Sequence, residues 1–138
     1  RVKAKTGKEN PMTATLEHAN LTVADPDATA AWMGEVFGWA VRWSGPAKDD
    51  GYTVHVGGKD DYLALYRPGI PPHAGDSSYG IIGGLNHVAV VVPDLDATEA
   101  RVKAAGFAPH NHGDYEPGRR FYFRDSDGIE FEVVNYDD

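Results

Sequence analysis

Short runs of alternating or continuous apolar residues mark strands, and two stretches of helical pattern lie between them. Leu16–Val23 and Leu85–Val92 are rich in β-branched and apolar residues and are predicted as strands. Each leads to an aspartate suited to a helix N-cap, Asp25 before Pro26 and Asp94 before Leu95. The first predicted helix carries Ala31, Trp32, Glu35 and Val36 and stops at Gly38; the second carries Glu99, Val102 and Ala105 and stops at Gly106. Further strands are predicted at Ala40–Trp43, Tyr52–Val56 and Tyr62–Tyr66, then at Phe107–His112, Arg120–Arg124 and Ile129–Val134.

These elements form an internal repeat. His18-Ala-Asn-Leu-Thr-Val-Ala-Asp-Pro-Asp-Ala-Thr29 matches His87-Val-Ala-Val-Val-Val-Pro-Asp-Leu-Asp-Ala-Thr98, 69 residues further on. The histidines coincide, as do Asp25 and Asp94, Asp27 and Asp96, Ala28 and Ala97, and Thr29 and Thr98. One register holds across a strand and the start of a helix, which argues for duplication. Each copy reads βαβββ. Residues 12–67 are the first module and 85–138 the second, and the Pro-, Gly- and Ser-rich stretch 68–84 is the linker. Residues 1–11 are basic and lack a periodic apolar face, so they are set aside as a leader or a disordered arm. The fold class is α+β: two tandem modules pairing into an incomplete barrel around a cavity, so that each covers the other's exposed sheet face.

Composition narrows the function. Hydrophobic residues are 41% and charged residues 25%, ordinary for a globular domain. The net charge of −8 repels phosphate backbones, so nucleic acid is not an expected partner. No apolar run is long enough for a membrane helix. The absence of cysteine excludes thiolate ligands and nucleophiles, leaves histidine and carboxylate for metal chemistry, and fits a cytoplasmic protein. The expected partners are a small-molecule substrate and a second copy of the chain in a homodimer.

Pseudo-twofold pairing of the modules brings His18 and His87 to one centre, where two imidazoles suit a divalent metal; the bland alternative is two buried, hydrogen-bonded histidines. The last strand, Ile129-Glu-Phe-Glu-Val-Val134, alternates, so Glu130 and Glu132 share one face. An inward carboxylate there completes a two-histidine, one-carboxylate set.

Leu16-Glu-His18-Ala-Asn-Leu, Leu85-Asn-His87-Val-Ala-Val and Asp125-Ser-Asp-Gly-Ile-Glu-Phe-Glu132 together resemble the vicinal oxygen chelate superfamily, over residues 16–136. That family includes glyoxalase I, extradiol dioxygenases, fosfomycin-resistance transferases, methylmalonyl-CoA epimerase and bleomycin-binding proteins. The resemblance implies that Glu132, four residues after the glycine, is the carboxylate ligand beside His18 and His87. Ala64 stands where glyoxalases and epimerases carry a fourth ligand, so the set resembles that of the dioxygenases and transferases more than a standard glyoxalase. Phe121-Tyr122 before the closing motif resembles the extradiol pattern and implies that Tyr122 donates a hydrogen bond to bound substrate. No histidine stands at the extradiol acid–base position, and His55 on the neighbouring strand is the candidate substitute. Fe(II) or Mn(II) is the expected metal, with Zn(II) or Ni(II) as alternatives. The implied activity is that of a metal-dependent dioxygenase, lyase or isomerase; the competing reading is a metal-free protein that binds a small ligand or drug.

Overall fold

The computed structural model describes residues 11–75, 77–116 and 118–136. The expected leader therefore lies almost wholly outside the described residues. The element order is β1 (His18–Thr22), α1 (Pro26–Phe37), β2 (Ala40–Ala47), β3 (Gly51–Gly57), β4 (Tyr62–Arg67), β5 (Val88–Val91), α2 (Leu95–Ala104), β6 (His110–Tyr115), β7 (Gly118–Arg124) and β8 (Glu130–Asn135). The chain divides into two compact units between His73 and Ala74.

In the first unit the sheet order is β1-β4-β3-β2, with β1 parallel to β4 and the other pairs antiparallel. The second unit repeats that order as β5-β8-β7-β6, with β5 parallel to β8. Neither sheet closes on itself. The repeat reaches the ladder: Ala19 pairs Leu63 in one sheet, and their counterparts Val88 and Phe131 pair in the other.

Both helices start as their sequences dictate. Asp25 accepts the Ala28 N–H at 3.1 Å, and Asp94 accepts the Ala97 N–H at 3.0 Å. Gly38 ends α1 with φ 74°, in the left-handed region. After α2, Gly106 takes φ 95°, its N–H bonds Lys103 O, and the Phe107 N–H bonds Val102 O. Those two bonds make the Schellman closure that a glycine permits.

One face of each sheet carries the helix. Met33 and Val36 of α1 are fully buried, as are Val56 and Leu65 of the first sheet. Burial of each such side chain contributes about 1.5–3 kcal/mol. In the second unit Val102 lies in the core with Phe121, Phe123, Phe131 and Val133, all at 0% exposure. Phe123 stacks on Phe131 with centroids 5.2 Å apart. Alternation then puts His55, Tyr62 and Ala64 on the other face of the first sheet, and Arg120, Tyr122, Glu130 and Glu132 on the other face of the second.

Some boundaries differ from the sequence reading. Strand β2 runs on to Ala47 through Gly45-Pro46, because it is an edge strand where proline costs no ladder bond. Strand β6 begins at His110, not Phe107, since Phe107 closes the preceding helix. No described helix is long and apolar enough to cross a membrane.

Candidate functional site

In the second unit, His87 precedes β5 and faces the carboxylate on β8. His87 Nε2 lies 3.1 Å from Glu132 Oε1. The other oxygen of Glu132 accepts from Arg120 Nη1 at 2.8 Å. Glu132 is only 7% exposed, and both of its oxygens are engaged. Glu130, two residues earlier and equally buried, is engaged elsewhere: it accepts from the Tyr79 hydroxyl and pairs with Arg124 Nη2 at 3.1 Å. The two glutamates share a face, as alternation requires, but only Glu132 is beside His87.

Tyr122 pairs with Glu132 across the β7–β8 ladder, and its ring meets His87 edge-on at 5.9 Å. Burial first, and the nearby Glu132 carboxylate second, push its phenol above the ordinary range, so it stays protonated at neutral pH. Tyr79, His87, Tyr115, Tyr122 and Glu130 line a recess of about 720 Å³ within this unit. His110 stacks on Tyr122, whereas His112 is exposed and pairs with Glu99 at 2.9 Å.

His18 sits in the first unit at the start of β1, exposed, with Nδ1 2.8 Å from Glu17 Oε1. Its ring stacks on Tyr62 at 4.8 Å, and His55 stacks on the same tyrosine at 4.6 Å. Burial lowers the His55 pKa, with repulsion from His18 and Arg42 adding to it, so its imidazole is neutral at pH 7. Trp43 joins this face at 5.2 Å from His55, and Phe123 belongs to the core of the second unit.

The ladder registers show what the first module lacks. Asn20 pairs Ala64 where Ala89 pairs Glu132, so an alanine occupies the carboxylate position.

His87 and Glu132 suit a divalent ion as a pair of donors. Two neighbouring ligands each about 2.1 Å from an ion stand about 3 Å apart, close to the observed 3.1 Å. Arg120 on the second carboxylate oxygen is the type of outer contact that orients a ligating carboxylate. Against this, His87 Nδ1 is buried with no hydrogen-bond partner, and no group of three or more His, Asp or Glu able to hold a metal occurs among the described residues. The sequence reading missed Arg120 and Tyr79, because neither belongs to a motif and both act across distant ladder or linker positions.

The fold has many solved relatives. A glyoxylase/bleomycin resistance protein/dioxygenase domain from Frankia sp. EAN1pec is 25% identical, with TM-score 0.75, over 91% of this chain and 99% of that one. TnmS3, an antibiotic binding protein from Streptomyces sp. CB03234, is 21% identical with TM-score 0.71, over 93% and 100%. A variant of the fosfomycin resistance protein FosX from Listeria monocytogenes, complexed with Mn(II) and a dihydroxypropylphosphonic acid, is 22% identical with TM-score 0.70, over 89% and 93%. No curated protein matches significantly. Residues 15–133 match the sequence family itself, and the chain belongs to the Glyoxalase/Bleomycin resistance protein/Dioxygenase superfamily.

Proposed function

We propose that this protein is a divalent-metal-dependent enzyme acting on a small molecule with two adjacent oxygens, with His18, His87 and Glu132 as the ligands. The observation that carries the reading is the placement of His87 Nε2 3.1 Å from Glu132 Oε1, with the other carboxylate oxygen held by Arg120. With Ala64 in place of a further carboxylate, two histidines and one carboxylate leave positions open for substrate, a dioxygenase-like set. Fe(II) or Mn(II) is the favoured ion, and a FosX relative was solved with Mn(II). Such an ion supplies Lewis-acid stabilisation of enolate- or catecholate-like charge.

The chain's own residues do the rest. Arg120 fixes the orientation of Glu132 and offsets its charge. Tyr122 keeps its proton and donates it in a hydrogen bond to a substrate oxygen in the recess. His55, neutral at pH 7, accepts a proton at an imidazole nitrogen.

A second reading is favoured by the same arginine. A guanidinium 2.8 Å from the carboxylate already neutralises it, and this suits a metal-free protein that sequesters a small ligand; TnmS3, of similar fold, is an antibiotic binding protein. Metal content separates the two. Protein purified without chelator, or incubated with Mn(II), Fe(II), Ni(II) or Zn(II), is expected to hold about one equivalent of metal per chain. No uptake of any of the four overturns the enzyme reading and leaves the binding protein.

A further inference from the structure

The first unit carries an aromatic platform that includes His18 and His55 of the proposed chemistry and extends beyond them to Tyr62, Trp43 and Arg42. Four rings run across the sheet, one from each strand: His18 on β1, Tyr62 on β4, His55 on β3 and Trp43 on β2. Successive centroids are 4.8, 4.6 and 5.2 Å apart. These rings lie on the face opposite α1 and are not fully covered: Trp43 is 51% exposed, and His55 and Tyr62 are half-buried. Ala64 and Gly45 give the face a low floor, and the Trp43 indole leans over Gly45, where a Cβ would stand 2.8 Å from the ring.

A β-bulge gives the platform a charge. The β2–β3 register slips between Val41 and Trp43, leaving Arg42 without a ladder partner. Consecutive residues on a regular strand point to opposite faces, but here both Arg42 and Trp43 reach the platform. Arg42 Cζ lies 4.7 Å from the Tyr62 centroid. Among the described residues it makes no ion pair. Glu17, whose carboxylate Arg42 influences electrostatically, has its Oε1 engaged by His18 Nδ1 and the Tyr62 hydroxyl. An exposed guanidinium with no ion pair among the described residues thus stands beside stacked rings in a chain of net charge −8.

We infer that this face binds a planar aromatic carboxylate, its ring stacked against the exposed Trp43 indole and its carboxylate paired with Arg42. Stacking supplies affinity for a flat ring, and the guanidinium selects the anionic form through charge-assisted hydrogen bonds. The Asn20 side chain, across the floor from His55 at the level of Ala64, is exposed and offers a further polar contact at the ligand's edge. The inference stands on the first unit alone and requires no metal, so its failure and the failure of the enzyme reading are separable.

The test is calorimetric titration of the full chain in excess chelator with 2-naphthoate, with 2-naphthamide and cyclohexanecarboxylate as comparisons. The expected result is that 2-naphthoate binds at least tenfold more tightly than either. Arg42→Gln is expected to lose that tenfold preference for acid over amide, and Arg42→Lys to keep part of it. Trp43→Leu is expected to weaken acid and amide alike. Arg42 is exposed, so Arg42→Gln is expected to melt at the wild-type temperature. No binding of 2-naphthoate, equal binding of acid and amide, or an Arg42→Gln protein that still discriminates overturns the proposal.

Discussion

Arg120 Nη1 lies 2.8 Å from Glu132 Oε2 on neighbouring strands, with the side chains only 12% and 9% exposed. The ladder sets this pairing: Arg120 is opposite Val134 and Tyr122 opposite Glu132, so the guanidinium reaches diagonally. A buried pair of this type is weak evidence for net stability, but removing one partner leaves the other charge uncompensated.

Arg120→Met is therefore expected to destabilise the protein by about 3–5 kcal/mol, measured by urea unfolding at pH 7. The double variant Arg120→Met/Glu132→Met is expected to recover most of that loss. Additive losses in the double variant would mean that the two groups are not coupled.

The two N-caps occupy equivalent places in the repeat and make equivalent bonds. Asp25→Ala and Asp94→Ala are each expected to cost about 1 kcal/mol, and the Asn substitutions to cost little. Thermal melts of the four variants check this. A pronounced difference between the two sites would show that the helix starts do not carry equal weight.

Asp125 organises the turn before β8 by accepting the N–H groups of Asp127 and Ile129, both at 3.0 Å. Burial nevertheless raises its pKa, outweighing those hydrogen bonds. A folded-state pKa above the unfolded value means that this group favours folding below the unfolded pKa, and that the contribution is lost as pH rises through the folded one. Asp125→Asn keeps an acceptor oxygen without the buried charge. It is expected to melt at or above wild type at pH 7, with its advantage shrinking as pH falls through the carboxylate range. An advantage that grows on acidification contradicts the assignment.

Gly128 has φ 79° with open space where a Cβ would stand, whereas a Cβ on Gly57 would meet Asp61 O at 2.4 Å. Gly128→Ala carries only the conformational penalty, about 1 kcal/mol. Gly57→Ala forces the β3–β4 backbones apart and is expected to cost clearly more. Denaturation midpoints of the two variants rank them.

The fold was legible because its signals are local and occur twice. Aspartate caps, stop glycines and the strand runs around His18 and His87 each report a conformation fixed within a few residues. The facing of Glu130 and Glu132 followed from alternation alone. The partners of those carboxylates were not legible. Arg120 reaches Glu132 only through the β7–β8 register, and Tyr79 reaches Glu130 from a linker 51 residues away. The bulge at Arg42 was equally hidden, because alternation gives no sign of where a ladder slips.

The central claim is that Glu132, and not its neighbour on the same face, holds a metal together with the two repeat-related histidines. Mn(II) binding followed by electron paramagnetic resonance on wild type, Glu132→Gln and Glu130→Gln tests it most directly. The account predicts one site in wild type, at least a hundredfold weaker binding in Glu132→Gln, and near wild-type binding in Glu130→Gln. Equal loss in both variants, or wild-type binding in Glu132→Gln, contradicts it.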